Sequence, residues 1–351
     1  MKRLKYLLVY ILPISVYFSF NTTGMMTFFP FMLFFGILPL FELFVKPNSS
    51  NFDKETAVYE KNNPVYDWIL FLSVPVQISM LIYFLFIINE TTFGTLDYFG
   101  KISSMGLMCG VLGINIGHEL GHRSNRKQQF LGEILLLTSL NTHFLPYHNG
   151  GHHRDVATPN DAATAKKNQL LFVFWITSHF GSYAKAWSLE NKLMKKQGRF
   201  FLTLNNRMVI YTFANILLLF GIFYFYNLSV LIAFIIAASL GILLLETVNY
   251  IEHYGLLRKK TENGKYERVS HIHSWNSDHP IGRLLLFNLS RHSDHHYNAG
   301  IKYPILKSIP QSPQMPTGYP GMMVLAIIQP IWFFIMNNKL EKEILKIEQK
   351  N

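Results

Sequence analysis

Ile102-Ser-Ser-Met-Gly-Leu-Met-Cys-Gly-Val-Leu-Gly-Ile-Asn-Ile-Gly-His-Glu-Leu-Gly-His122 carries no charged residue before Glu119 and ends on two histidines four apart. A bilayer-crossing helix needs about 20 mostly apolar residues, and this stretch supplies them. On a helix, residues four apart share a face. The stretch therefore reads as a membrane span whose last turn presents His118 and His122 side by side. Five further segments of similar character flank it, at 5–21, 25–45, 68–88, 208–226 and 229–250. Together they predict an all-α polytopic membrane protein, with six transmembrane helices in three hairpins and a single integral-membrane domain over 1–351. The first segment follows Lys2, Arg3 and Lys5 but has no small-residue cleavage site and runs straight into the next span. It reads as a retained anchor rather than a signal peptide.

Composition agrees. Of 351 residues, 50% are hydrophobic and 15% charged, against about a quarter charged in soluble domains. Mean hydropathy is only +0.18, so a large polar part accompanies the spans. Net charge is +11. No basic run interleaved with aromatics is present, so the excess points to a membrane side and not to nucleic acid. Lys and Arg crowd the segment 123–207, while the 90–100 loop holds Glu90 and Asp97 without a cation. The positive-inside rule then puts both termini and the parts 123–207 and 251–351 in the cytoplasm. A seventh apolar stretch, 320–336, contains Pro330 and precedes the charged tail Lys339-Leu-Glu-Lys-Glu343. It reads as an interfacial or buried helix, reached through the Pro-rich extended connection 308–320.

One cysteine against fourteen histidines excludes a disulfide scaffold, an iron–sulfur cluster and a Cys-rich zinc module. Nine of the histidines fall into four groups: His118 and His122; His148, His152 and His153; His253; and His292, His295 and His296. The last three are spaced so that a helix would turn them one way. Neutral imidazole is the commonest nitrogen ligand of transition metals. A tetrahedral site takes four ligands, so nine imidazoles suit two metals better than one. His118-Glu-Leu-Gly-His122 alone also satisfies the zinc-protease pattern H-E-x-x-H, with Glu as general base. A membrane zinc metalloprotease would leave seven clustered histidines without a role, and Thr158-Pro-Asn-Asp161 lacks the glycine of its aspartate loop.

These residues resemble the membrane-bound di-iron alkane 1-monooxygenases, with xylene monooxygenase and the His-box membrane desaturases and hydroxylases as relatives. The similarity covers nearly the whole chain. It rests on His118-Glu-Leu-Gly-His-Arg123, His148-Asn-Gly-Gly-His-His-Arg-Asp-Val-Ala-Thr-Pro159, Asn249-Tyr-Ile-Glu-His-Tyr-Gly-Leu256 and Leu289-Ser-Arg-His-Ser-Asp-His-His296. His273-Ser-Trp-Asn276 and the tail Pro316-Thr-Gly-Tyr-Pro-Gly321 extend it. Tyr147 stands where the family usually has Glu, Ser290 where it has Gln, and Arg123 where Lys is common. None of these removes a ligand.

The resemblance implies that His118, His122, His148, His152, His153, His253, His292, His295 and His296 hold two non-haem iron ions. Glu119, Asp155, Asp161, Glu252, His273 and Asp294 are candidates to brace the ligands, carboxylates accepting N–H bonds from ligating rings. For the acids, pairing with Arg123, Arg154 and Arg291 is the competing role. The implied reaction is O2-dependent terminal hydroxylation of medium- or long-chain n-alkanes to primary alcohols, the substrate arriving from the bilayer of a bacterial inner membrane. Fatty-acyl or alkyl-aromatic hydroxylation or desaturation is the alternative, against which the Asn249–Gly255 motif argues. Phe34, in Phe34-Phe-Gly-Ile-Leu-Pro39, is the candidate that limits chain length in the substrate tunnel. With no rubredoxin cysteines and no dinucleotide fingerprint, electrons are expected from a separate rubredoxin or ferredoxin and its NAD(P)H-dependent reductase.

Overall fold

A computed structural model describes residues 3–349. Lys2, one of the charges used for orientation, and both chain ends lie outside them. Among the described residues the fold is helical, and the only β-pairing is two isolated bridges. The main helices are α1 (Leu4–Phe20), α2 (Gly24–Glu42), α3 (Lys54–Lys61), α4 (Pro64–Asn89), α5 (Leu96–Gly121) and α6 (Arg126–Leu137). They continue as α7 (Leu171–Lys196), α8 (Arg207–Phe225), α9 (Leu228–His253), α10 (His292–Tyr297), α11 (Tyr319–Ile327) and α12 (Gln329–Glu348).

Helix starts follow from side-chain caps that satisfy otherwise orphaned N–H groups. Asp53 accepts from Thr56 N, Asn63 from Val65 N ahead of a first-turn proline, Thr95 from Tyr98 N, Asn125 from Lys127 N and Asn206 from Met208 N. Among the described residues five helices are long and apolar enough to cross a membrane: α2, α4, α5, α8 and α9; α1 is apolar but shorter. The expected span 102–122 thus begins six residues earlier, at the Thr95 cap. The 320–336 stretch is divided into α11 and α12 at Ile328, because Pro330 occupies the first turn of a new helix. Neither half has the length and apolarity to cross. The 308–320 connection is non-helical until Tyr319, as its prolines predict.

The chain forms two compact units. One comprises residues 3–36, 63–150 and 183–245. Its central element is α5, whose apolar window is 78% buried against 17–44% for the other candidate spans. Glycine makes that burial possible. At Gly117 a Cβ would meet Leu136 Cγ at 2.9 Å and the Gly132 carbonyl at 3.1 Å, so α5 and α6 pack backbone to backbone. Small residues serve this purpose where lipid removes the hydrophobic drive between helices. Buried hydroxyls add cross-links: Ser19 and Ser104 share a 2.8 Å hydrogen bond, and Tyr98 Oη donates to Ser229 O at 2.7 Å.

The second unit comprises residues 37–62, 151–182 and 246–349. It has few long helices and is held by polar ties. Arg291 donates to Leu306 O at 2.7 Å and Ser50 O at 2.9 Å. Glu42 accepts from Gly282 N at 2.9 Å. Trp275, fully buried, donates its indole N–H to Tyr254 O at 2.9 Å and its backbone N–H to Glu252 O at 2.8 Å, fixing the end of α9.

Candidate metal centre

In the first unit, the last turn of α5 carries His118, and His122 closes it as the C-cap. His148 follows the short helix Phe144–Tyr147. Their Nε2 atoms form a triangle, with His118 to His148 at 2.8 Å, His118 to His122 at 3.0 Å and His122 to His148 at 3.0 Å. The predicted i, i+4 pairing of His118 and His122 is therefore present. Phe144 stacks on the His148 ring at 4.6 Å and meets His118 edge-on at 5.7 Å, closing the back of the group with an apolar surface.

In the second unit, His152, His253, His292 and His296 bring one ligand atom each to within 4.8 Å of one another, and all four are buried. His152 Nε2 lies 3.2 Å from His296 Nε2, and His292 Nε2 lies 3.1 Å from His253 Nε2. His153 and His295 stand beside this group with ring centroids 4.9 Å apart.

One feature differs from what spacing suggested. The helical turn His148–His152 is π-helical, closing at i→i+5 rather than i→i+4; His148 joins the triangle and His152 the four-His group, whereas the expected single face fails at the last three histidines. Within α10, His292 and His296 face the four-His group while His295 turns to His153.

Whether a metal suits these groups follows from the nitrogens. Metal–N bonds of about 2.0–2.1 Å put neighbouring ligand atoms roughly 2.9–3.4 Å apart, close to the 2.8–3.2 Å found. Three imidazole Nε2 atoms lying 2.8–3.0 Å from one another are arranged as ligand atoms around a common cation would be. Burial also disfavours protonation. The His153 ring is pushed down to about 3, first by burial and then by His152, and burial holds His296 well below its ordinary value. Neutral imidazole is the form a metal requires.

The expected bracing residues divide. Asp161 Oδ2 lies 2.9 Å from His152 Nδ1 and also accepts from Thr164 Oγ1 at 2.7 Å. Glu252 Oε2 lies 3.2 Å from His292 Nε2, the nitrogen turned toward the other rings, and its Oε1 accepts from Tyr319 Oη at 2.7 Å. Glu119 pairs with Arg123 at 2.9 Å, and Arg123 also reaches Asp67 at 3.3 Å. Asp155 pairs with Arg154 at 2.7 Å. Asp294 accepts from Lys307 N at 2.8 Å and faces His271 at 3.5 Å. His273 binds Ser270 and Glu267, and burial lowers its pKa. Ser290 donates to Ser277 O at 2.7 Å, and Tyr147 is buried beside His148. Phe34 is buried within the π-helical turn Leu33–Ile37 of α2.

Tyr319 had no assigned role in the tail motif, and the buried Ser178–Glu246–Asn249 cluster was not anticipated. The available signal for the latter was Glu246, a carboxylate inside the otherwise uncharged run 228–251.

A sequence profile described as fatty acid desaturase matches residues 98–325. Alkane 1-monooxygenase 1 of Pseudomonas aeruginosa is 37% identical over 308 residues, covering 87% of this chain and 81% of the relative. Alkane 1-monooxygenase 1 of Alcanivorax borkumensis is 34% identical over 302 residues, covering 86% and 74%. The xylene/toluene monooxygenase hydroxylase component of Pseudomonas putida is 26% identical over 242 residues, covering 68% and 63%. Identity at this level over most of both chains means that this protein belongs to the alkane 1-monooxygenase family, within the wider fatty acid desaturase group.

Proposed function

We propose that this protein is an integral-membrane monooxygenase that converts the terminal methyl of an n-alkane to a primary alcohol. The observation that carries the reading is the convergence of imidazole nitrogens in a chain whose relatives are named alkane 1-monooxygenases. The donor set is the nine histidines His118, His122, His148, His152, His153, His253, His292, His295 and His296, and the metals are two irons. When bound, they supply the O2 activation that no acid–base residue can achieve at an inert C–H bond. One oxygen atom of O2 enters the alcohol and the other leaves as water, with two electrons and two protons consumed.

The protein's own contribution is placement and dryness. Asp161 orients His152, Phe144 shields the His118–His148 face, and the apolar spans admit an alkane that already partitions into the bilayer. The six-span, three-hairpin arrangement includes α1 as a crossing helix, and the Lys/Arg distribution puts the metals and both termini on the cytoplasmic side. Glu119, held by Arg123, is a poor free base, which disfavours the zinc-protease reading. A separate rubredoxin or ferredoxin with its reductase provides the electrons.

The test is incubation of iron-loaded protein with octane, reduced rubredoxin and labelled O2. Labelled 1-octanol is expected, together with about two irons per chain. An alkene product or turnover confined to acyl chains overturns the alkane assignment, and one zinc per chain overturns the di-iron centre.

A further inference from the structure

Asp161 and Glu252 are both buried carboxylates beside histidines of the same four-membered group, yet they meet different ring nitrogens. Asp161 meets His152 at Nδ1, the nitrogen remote from the other rings. Glu252 meets His292 at Nε2, 3.2 Å away, and that same Nε2 lies 3.1 Å from His253 Nε2. A carboxylate whose task is to orient a ligating imidazole accepts from the nitrogen that does not bind the metal. Asp161 does this and Glu252 does not.

The rest of the Glu252 environment agrees. Tyr319 Oη, at the first residue of α11, donates to Oε1 at 2.7 Å and leaves Oε2 directed at His292. Glu252 is 1% exposed, and among the described residues no lysine or arginine pairs with it. A buried carboxylate without a counter-charge is costly, and a divalent ion among the four rings would supply one.

We propose that Glu252 supplies a carboxylate oxygen to the metal held by His152, His253, His292 and His296, and that Tyr319 is the positioning residue that aims it. This rests on the metal-centre reading above. The site would then offer four nitrogens and one oxygen, and the ligand adds a negative charge that favours the higher oxidation state of the metal. The competing role is a hydrogen bond from a protonated His292 Nε2 to Glu252, which excludes the metal from His292.

The experiment is infrared difference spectroscopy on full-length protein labelled with carbon-13 glutamate, iron-loaded minus chelator-stripped. A carboxylate band that moves with the label and is lost in Glu252→Gln is expected. In Tyr319→Phe the band should shift while iron content is kept. Iron counting provides a second readout. Glu252→Ala should fall from about two irons toward one, or release one iron to chelator roughly tenfold faster or more, and Glu252→Asp should recover part of the loss. If the wild type holds two irons but shows no glutamate-sensitive band, the proposal is overturned while the metal centre stands. The same holds if Glu252→Ala keeps both irons at the wild-type release rate. A wild type that binds no iron overturns the metal centre itself.

Discussion

His152 presents Nδ1 to Asp161 Oδ2 at 2.9 Å and turns Nε2 toward His296 at 3.2 Å. One carboxylate therefore decides which nitrogen of a buried imidazole is free to bind a metal. Asp161→Asn keeps the shape but removes the charge, and its amide can present a donor where an acceptor is needed. Iron affinity should fall by about 10–100-fold with helical content unchanged. Chelator competition measures this, and wild-type affinity would mean that Asp161 does not set the ring.

Acid should destabilise the metal-free protein through its buried histidines. The His153 ring titrates near 6.5 in an unfolded chain but is pushed down to about 3 here by burial and by His152. Between those values the unfolded chain binds the extra proton. Stability is thus fully present above about pH 6.5 and declines as pH falls toward 3, by at most about 1.4 kcal/mol per unit for this group. His296 acts in the same direction. Thermal unfolding of stripped protein near neutrality and near pH 5 checks the sign, and a Tm that rises with acid contradicts it.

Gly318 lies where a Cβ would run into the Glu42 carboxylate. Glu42 already accepts from Gly282 N, so neither partner can withdraw without breaking that tie. Gly318→Ala should cost about 1–3 kcal/mol, as overpacking does. Gly221→Ala, where nothing lies within 4 Å of the added carbon, should be neutral or slightly stabilising because alanine favours the helix. Equal Tm values for the two variants would remove the steric account.

Phe34, 5% exposed on α2, is the residue expected to end the substrate tunnel. Removing a buried Phe leaves a cavity of several methylene volumes, which a longer alkyl chain can fill. Phe34→Ala should shift the product range toward longer alcohols, read by gas chromatography across an alkane series. An unchanged range removes Phe34 from this role.

A donor that docks by charge on the basic face should lose rate as salt rises, because exposed charges are screened beyond about 8–10 Å at physiological ionic strength. Turnover with rubredoxin should fall steeply with added salt, with kcat/KM carrying the change. Salt-insensitive turnover would leave the +11 charge as a record of membrane orientation alone.

Apolar length was legible in the sequence because it acts locally. A run such as 102–117 can satisfy its backbone in lipid only as a helix, whereas the caps Asn63, Thr95 and Asn206 lie outside the apolar runs read as spans. A histidine-rich site was legible too, since a cluster of imidazoles with a single cysteine admits few chemistries. How the imidazoles are grouped was not. A periodicity of 3.6 places His148 with His152, but the backbone there is π-helical, and a bulge is settled by packing rather than by residue preference. Nor could spacing distinguish the roles of Asp161, nine residues from His152, and Glu252, next to His253. Which nitrogen each oxygen meets depends on side-chain direction and on partners distant in sequence. Thr164 is three residues from Asp161, whereas Tyr319 is 67 from Glu252. The sequence alone determined a membrane-spanning helical chain carrying a histidine-rich metal site. Tertiary structure decided which rings face one another and which carboxylate points inward, because those relations depend on contacts between segments that no local preference encodes.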